Sequence, residues 1–374
     1  MNKKLVLIGG GHASAIALKL WGLNPIPNVD LILITDVLQT PYSGMLPGYV
    51  AGFYSYEQTH IDLSRLAKFA GAKLLKDPAI GLDLEQNKVI CKSDQVEFDF
   101  LSIDIGSTPQ MLNIPGAKEY AIPAKPVPQF LAAWSKLKQQ FKSNPSQVIS
   151  LVIVGGGAGG VELSLNMQAS LQRILNFPDQ QVQIHLIHQG DRLLSGHNSW
   201  VSNKLQDILI QRDIQLHLKE SVTEVLADKI NCASGLKIKY DAVFWVTQAT
   251  APHWIKNSQL TTDEGGFILV NDTLASVSHP HILAAGDIAT MINYQRPKAG
   301  VFAVRQGKPL VTNWRCLLTE QPLQTYTPQS KYLALIGTGD GSAIASWGNW
   351  GWRSQALWWM KDYIDRRFMK QFLV

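Results

Sequence analysis

The chain has 374 residues, of which 46% are hydrophobic and 17% are charged, and this composition excludes a disordered protein. Its net charge of +5 is too small to indicate nucleic acid binding, and its three cysteines exclude a disulfide scaffold. No apolar run reaches the ~18 residues of a membrane span, and the N-terminus is typical of a strand rather than a signal peptide. The length predicts two or three domains, and we expect a cytoplasmic protein.

An internal duplication organises the chain. Residues 5–8 and 151–154 are apolar strands that each run into a glycine-rich turn and a helical stretch, at an offset of 146 residues. Further matching pairs are second strands at 31–34 and 182–187, hairpins at 88–91 and 229–232, and closing strands at 99–103 and 241–245. This pattern predicts an α/β fold with two Rossmann-like units, each with an added β-hairpin or meander.

The cysteines follow the same repeat. Cys91 and Cys232 occupy matching hairpin positions, and Cys316 falls in a helical stretch at 310–318. These positions therefore indicate cysteines that pack in the core rather than cysteines that react.

The two glycine turns read Gly-Gly-Gly-His-Ala-Ser at 9–14 and Gly-Gly-Gly-Ala-Gly-Gly at 155–160. Each follows a strand and opens a helix, which is the context that a dinucleotide fingerprint requires. The first glycine allows the bend, the second lets the backbone approach a pyrophosphate, and the third permits close helix packing, with Ser14 in that place in the first copy. Plain tight turns are the alternative interpretation.

The ends of the second strands carry the residues expected to contact a ribose. Asp36 follows Ser14 by 22 residues and is a candidate for the ribose hydroxyl, with Thr35 as its competitor. The second copy ends at His188-Gln189-Gly190 without an acid. The missing acid argues against NADH, whereas His188 and Arg192 would tolerate the 2′-phosphate of NADPH. The opposite interpretation is that this turn binds a nucleotide weakly or not at all.

A third motif follows the two glycine turns along the chain. Residues 282–287, Ile-Leu-Ala-Ala-Gly-Asp, predict a short strand before a helix start at 288–290, and Asp-Ile-Gly-Ser-Thr-Pro stands at 104–109. Across about residues 4–325 this order resembles the pyridine nucleotide–disulfide oxidoreductase superfamily. The segments at 41–48, 124–126 and 298–307 are similar to oxidoreductases fused ahead of selenide, water dikinase, and more distantly to type II NADH dehydrogenases.

The resemblance implies a discontinuous FAD-binding domain (1–120 and 271–325), an NAD(P)-binding domain (121–270) and a C-terminal interface or membrane-associating segment (326–374). The residues implied at FAD are Gly9, Gly11, His12, Ala13, Ser14, Asp36, Gly106, Gly286 and Asp287, and those at NAD(P)H are Gly155, Gly157 and Gly160. Candidate catalytic residues are Glu162 near the nicotinamide and Lys125 and Tyr42 near the flavin ring. A solvated first-turn carboxylate is the alternative for Glu162, a surface lysine is the alternative for Lys125, and no metal site is expected.

The departures from the superfamily bear on the reaction. No cysteine precedes Cys91, so the redox-active pair of the disulfide reductases is missing. The cysteine positions fit the sulfide:quinone oxidoreductases poorly, and residues 300–305 lack the glutamines of the type II quinone motif. The sequence therefore indicates an FAD-dependent NAD(P)H oxidoreductase without a redox disulfide, which passes electrons to a small molecule that the sequence does not identify. The alternatives are a selenium- or sulfur-linked flavoprotein and a flavin-holding redox sensor or partner-binding protein.

The C-terminal segment has its own pattern. Five of the eleven tryptophans fall between Trp347 and Trp359, and from Arg353 onward the chain carries five basic and two acidic groups. An apolar helical stripe is predicted at Leu357, Met360, Ile364, Phe368 and Phe372, opposite a charged face of Lys361, Asp362, Asp365, Arg366, Arg367 and Lys370. Such a helix lies on the cytoplasmic face of an anionic membrane, or packs on the body or on a second subunit of a homodimer. In either case we expect the tail to govern the acceptor side and not nicotinamide entry.

Overall fold

The computed structural model describes residues 2–109, 114–144, 148–175, 180–247 and 249–374. The first elements are β1 (Lys3–Ile8), α1 (His12–Leu23), β2 (Val29–Thr35), β3 (Gln39–Pro41), α2 (Leu46–Ala51), α3 (Tyr56–Thr59), β4 (His60–Asp62), α4 (Leu63–Ala70), β5 (Lys73–Lys76), β6 (Ala79–Asp83), β7 (Lys88–Cys91), β8 (Gln95–Glu97), β9 (Phe100–Ile103) and β10 (Thr108–Pro109). The middle elements are α5 (Ala117–Tyr120), β11 (Ala121–Pro123), α6 (Val127–Ser143), β12 (Val148–Val154), α7 (Ala158–Gln172), β13 (Gln181–His188), α8 (Ser199–Gln211), β14 (Gln215–Leu218), β15 (Val222–Val225), β16 (Lys229–Cys232), β17 (Lys237–Lys239), β18 (Ala242–Trp245), β19 (Ala249–Thr250) and α9 (His253–Asn257). The last elements are β20 (Ile268–Val270), β21 (Ile282–Ala284), β22 (Ala289–Met291), α10 (Gly300–Leu318), β23 (Ala334–Gly337), β24 (Ala343–Trp347), β25 (Trp350–Ser354) and α11 (Gln355–Lys370).

Two parallel sheets form the framework. The first has the strand order β21-β9-β1-β2-β5, and the second has the order β11-β18-β12-β13-β14. The glycine turns follow the central strands β1 and β12, whose apolar residues are buried because helices cover both faces of such sheets. The matching strand orders confirm the predicted α/β duplication.

Each sheet carries an antiparallel meander, β6-β7-β8 in the first copy and β15-β16-β17 in the second. Cys91 pairs with Ala79 and Cys232 pairs with Val222, and a register shift follows each pair. Both thiols are buried, as is that of Cys316. The repeat therefore extends to individual side chains.

The predicted helix start at 288–290 is wrong. Gly286–Ile288 forms a single 3₁₀ turn, and residues 289–291 form β22, which pairs in parallel with β20. The helix begins only at Gly300. Strand pairing with a distant segment overrides the local pattern here.

The C-terminal segment forms the antiparallel sheet β23-β24-β25 followed by α11, whose first turn is capped by the Ser354 hydroxyl. The predicted faces of this helix are wrong in part. The side chains of Lys361 and Asp365 are only 7% and 6% exposed, whereas Met360 and Ile364 are exposed. The Lys361 ammonium donates to Asp365 and to the Gly44 carbonyl, and this pairing allows the charges to be buried.

This segment contacts both halves of the molecule. The Asn166 amide of α7 donates to the Gly337 carbonyl at 3.1 Å. At the other end, the Trp358 ring of α11 packs 4.7 Å from Phe53 and also against Tyr54. Within the described ranges, no helix combines the length and the apolar character needed to cross a membrane.

Candidate functional site

The first glycine turn is shaped by contacts within the chain itself. Gly9 has a φ of 89°, and its N–H donates to the Ile34 carbonyl at 2.8 Å. A Cβ at Gly9 would lie 2.4 Å from the Asp104 carbonyl oxygen, and one at Gly11 would lie 2.3 Å from the Asp104 carboxylate. Both positions therefore require glycine whatever the ligand, and the reason at Gly11 is the nearby carboxylate rather than a pyrophosphate.

Asp104, directly after β9, lies beneath this turn. Its carboxylate accepts the N–H of Ser14 at 2.8 Å, and it is almost fully buried. Burial raises the pKa of the Asp104 carboxyl to about 7, against the opposing N–H groups of Ser14 and Ala13. In the second copy the equivalent carbonyl belongs to Val246, so the buried acid distinguishes the first turn.

A polar triad faces the turn. Asp287 Oδ2 accepts hydrogen bonds from Lys125 Nζ at 2.8 Å and from Ser107 Oγ at 3.1 Å. Burial pushes the pKa of Asp287 up, but the Lys125 charge and both hydrogen bonds outweigh it and hold the pKa below its usual range. Gly106 and Gly286, with φ of 71° and 72°, shape the loops that bring these groups together.

One cavity of about 590 Å³ connects these groups. It is lined by the first turn with His12, by Asp36, by Lys125 of the triad and, towards the second copy, by Gly159 and Glu162. Within the described part of the chain, no three His, Cys, Asp or Glu side chains are grouped so as to hold a metal ion. The cavity therefore joins sites from both repeats.

Three side chains differ in how they meet this cavity. Thr35 is buried, and its hydroxyl donates to the Val37 carbonyl at 2.9 Å, whereas Asp36 is exposed. His12 is held neutral, because burial lowers its pKa to about 4 despite the charge of Asp287. Of the two competitors at the end of β2, Asp36 is therefore the one that presents its side chain outward.

The second glycine turn repeats the first. Gly155 has a φ of 126°, and a Cβ at Gly160 would lie 1.8 Å from the Gly155 carbonyl oxygen. Gly157 precedes α7 as Gly11 precedes α1, and neither helix has a capping side chain or an acid in its first turn. Helix starts of this kind suit pyrophosphate, so both turns fit a dinucleotide, although the Ser14 N–H in the first turn of α1 is already accepted by Asp104.

Two basic residues were predicted at the ribose end of the second turn, but only one of them contacts the turn. His188 Nδ1 accepts the Gly156 N–H at 3.3 Å. The Arg192 guanidinium instead donates to the Ser199 hydroxyl and to the carbonyls of Ser195 and His197. The structure therefore brings His188 to the turn, while Arg192 is engaged with the loop before α8.

Glu162 lies where the cavity meets the C-terminal segment. Its Oε1 accepts the Gly337 N–H at 2.8 Å. Burial raises the pKa of Glu162 to about 7, while the Lys361 charge and the Gly337 N–H act in the opposite direction. This enclosed setting differs from the solvated carboxylate of the alternative interpretation, and it shows that the tail also contacts the predicted nicotinamide side.

Tyr42 lies one layer behind the cavity wall. Its ring is 5.4 Å from His12 and 4.4 Å from Phe368 of α11, and it is not among the described residues that line the cavity. Burial raises the pKa of Tyr42, as do the charge and hydrogen bond of Asp365. Tyr42 thus joins the first unit to the tail.

Sequence reasoning missed the site roles of Asp104 and Lys361. Asp104 carried a signal, because it is an acid directly after the apolar strand Phe100–Ile103. Lys361 carried none, because its partner Gly44 is 317 residues away.

The sequence model of one family, described as pyridine nucleotide-disulphide oxidoreductase, matches residues 3–307. Among curated proteins, a probable NADH dehydrogenase of Dictyostelium discoideum is 24% identical over 92% of this chain and 80% of its own length. A type II NADH:quinone oxidoreductase of Haemophilus influenzae is 23% identical over 79% and 72%.

Solved structures share the fold. The sulfide:quinone oxidoreductase of Aquifex aeolicus has a TM-score of 0.80 at 17% identity, covering 99% of this chain and 91% of that one. NDH2 of Plasmodium falciparum in complex with NADH has a TM-score of 0.77 at 15% identity, covering 100% and 98%.

Proposed function

Because the chain belongs to the pyridine nucleotide-disulphide oxidoreductase family, we propose that this FAD-dependent NAD(P)H oxidoreductase reduces a quinone-type small molecule. The observation that carries the proposal is the 590 Å³ cavity, which is lined by the first glycine turn and, from the second unit, by Gly159 and Glu162. When bound, FAD supplies a ring system that accepts a hydride from nicotinamide. Relatives whose names include quinone support the acceptor class.

The proposed roles follow the order of the chain, with FAD bound by residues 1–120 and 271–325 and NAD(P)H by residues 121–270. The residues that would hold FAD are Gly9, Gly11, His12, Ala13, Ser14, Asp36, Gly106, Gly286 and Asp287, with Lys125 as their cation. Gly155, Gly157 and Gly160 would hold the nicotinamide dinucleotide. Glu162 would exchange a proton near neutral pH, because its pKa is about 7.

A thiol-based reaction has less support. The cysteines are buried, and none is among the described residues that line the cavity. Burial raises the pKa of Cys91 and of Cys232 to about 11, which disfavours the reactive thiolate. These observations favour quinone over sulfur as the electron acceptor.

Anaerobic rapid mixing tests the proposal. Acid extraction of the purified protein should release FAD, and NADH or NADPH should bleach the flavin absorbance within one turnover. A quinone should then restore the absorbance repeatedly. Release of FMN or no flavin would contradict the cofactor assignment, restoration by polysulfide alone would favour the sulfur-linked alternative, and a long-lived reduced form would favour a redox sensor.

We also propose that the tail rests on an anionic membrane surface. Trp350 and Trp352 lie on one face of β25 and are 81% and 70% exposed, and Trp359 and Tyr363 are exposed four residues apart on α11. Two exposed basic side chains of α11, Arg367 and Lys370, accompany them, while Arg353 and Arg366 are paired with Asp340 and Asp362. Exposed aromatic rings with basic groups suit the interface of an anionic bilayer, where each basic group contributes ~1 kcal/mol.

Co-sedimentation with vesicles tests this surface. We expect binding to phosphatidylglycerol vesicles that weakens as salt rises, and loss of binding in the double variant Trp350→Ser, Trp352→Ser. Trp134→Phe, a change of a buried tryptophan, is the matched control. Equal binding to phosphatidylcholine would contradict the role of charge, and a concentration-dependent dimer without lipid binding would assign the surface to a second copy.

A further inference from the structure

One buried carboxylate lies between two of the motifs proposed to hold FAD, the first glycine turn and the Ala-Gly-Asp segment at 285–287. A Cβ at Gly11 of the turn, or at Gly286 of that segment, would overlap Oδ1 of Asp104. The missing side chains of these two glycines therefore leave the space that the carboxylate occupies. Asp104 thus lies where the two motifs meet.

The backbone and the side chain of Asp104 are both bonded to the strand–turn–helix unit. Its N–H donates to the Ile8 carbonyl at 2.8 Å, and its carbonyl accepts the Gly11 N–H at 3.0 Å. Its carboxylate accepts the Ser14 N–H at 2.8 Å. The carboxylate therefore cannot leave this position without breaking hydrogen bonds of the turn.

The same N–H groups are the ones that α1 would offer to a pyrophosphate. The N–H groups of Ala13 and Ser14 lie in the first turn of the helix and face Asp104. An ionised carboxylate would repel the negative charges of a pyrophosphate bound there, and at a buried position water screens this repulsion only weakly. A protonated carboxyl carries no charge and gains an O–H donor.

The surrounding charges do not compensate an ionised Asp104. Burial raises its pKa, and the charge of Asp287 raises it further. Lys125 and Lys298 direct their side-chain hydrogen bonds to other groups, Lys125 to Asp287 itself. His12 of α1 is neutral, because burial lowers its pKa to about 4. The side chains that α10 presents to this site are uncharged: Ala303 and Gln306.

We infer that Asp104 takes up a proton when the first glycine turn binds FAD, so that the affinity of the protein for FAD falls as the pH rises. This inference deepens the proposed function and rests on its FAD site. In the second turn the corresponding residue is Val246, which does not ionise. The coupling to pH therefore belongs to the flavin site and not to the nicotinamide site.

The affinity for FAD at several pH values tests this coupling. The holoprotein is diluted at pH 6, 7, 8 and 9, and the released FAD is measured by its fluorescence. Asp104→Asn removes the charge but keeps an acceptor for the Ser14 N–H, and Asp104→Ser is a second uncharged variant with an acceptor oxygen. With a pKa of about 7 for Asp104, the ratio of the wild-type Kd to the variant Kd should rise about 90-fold from pH 6 to pH 9.

Two other groups that titrate in this range are controlled. Lys298, whose pKa is about 8, is present in the wild type and in both variants, so the ratio of Kd values removes its contribution. Glu162→Gln is the matched control, because it removes another buried carboxyl with a pKa of about 7 that lines the same cavity. It should keep the pH dependence of the wild type.

Calorimetry counts the proton directly. Flavin-free protein is titrated with FAD at pH 8 in HEPES and in Tris, two buffers with different ionisation enthalpies. The wild type should take up about 0.9 proton per FAD more than Asp104→Asn does.

The results separate this inference from the proposed function. A ratio of Kd values that stays constant from pH 6 to pH 9, or equal proton uptake by the wild type and Asp104→Asn, would overturn the inference and leave the oxidoreductase proposal intact. Loss of FAD binding in both uncharged variants, in protein that remains folded, would also overturn it, because the charge would then be required. Purified wild-type protein that releases no FAD on acid extraction would overturn both.

Discussion

Replacing Asp104 with asparagine should make the protein more stable at neutral pH. The pKa of this carboxyl is about 7 in the folded chain, against 3.8 for an ordinary aspartate. Because the pKa is raised, the contribution of the protonated carboxyl to folding stability is fully present below pH 3.8 and is lost as the pH rises from there through 7. At 1.36 kcal/mol per pKa unit, the full effect is about 4 kcal/mol.

The asparagine variant removes this dependence. Its amide oxygen can accept the Ser14 N–H in place of the carboxylate, so the turn keeps its hydrogen bond. We expect the stability gain of Asp104→Asn over the wild type to grow by about 2–3 kcal/mol between pH 5 and pH 7 and to level off above pH 8. Urea unfolding of the flavin-free protein, followed by tryptophan fluorescence at each pH, measures it.

Asp36→Asn is the matched control, because it removes an exposed carboxylate that lines the same cavity. It should give a flat difference from the wild type across this pH range. If Asp104→Asn were instead less stable than the wild type by the same amount at every pH, the carboxylate would be ionised in the folded protein. The reasoning from burial would then be wrong.

Three further predictions concern the reaction and its cofactors. Gly11→Ala should yield colourless protein, because the new Cβ would lie 2.3 Å from the Asp104 carboxylate; a normal FAD content after acid extraction would contradict this. Glu162→Gln should abolish an apparent pKa near 7 in the turnover rate while leaving FAD content normal, and a pH profile identical to the wild type would remove Glu162 from proton exchange. Replacing all three cysteines by alanine should lower stability by a few kcal/mol but leave flavin reduction by NAD(P)H intact in stopped-flow, and lost reduction in folded, flavin-loaded protein would restore a thiol role.

The repeated core could be predicted from the sequence because its signals are local. An apolar run such as residues 151–154 predicts a strand, and the glycines directly after it predict a tight turn before a helix. Strand, turn and helix can therefore be predicted in order from adjacent residues. The matching turns at Gly9 and Gly155 therefore identified the two Rossmann-like units.

The remainder depended on partners far along the chain. On a helical wheel, Lys361 and Asp365 fall on the charged face that is expected to be exposed. In the folded chain they are buried, and the Lys361 ammonium is satisfied by Asp365 and by the distant Gly44 carbonyl. Residues 289–291 look helical until β20 pairs with them. A cavity of about 780 Å³ beside Asp287 and Lys298 is likewise lined by β20, β22, the start of α10 and Pro328, a juxtaposition that no spacing rule encodes.

The C-terminal segment has a mechanical consequence. Its β-sheet is bonded to α7 through Gly337, and its helix is bonded to the loop before α2 through Lys361. A hinge motion that separates the two dinucleotide units must break at least one of these attachments. We therefore expect substrate exchange without hinge opening, and a turnover rate that is insensitive to solvent viscosity beyond its effect on diffusional encounter.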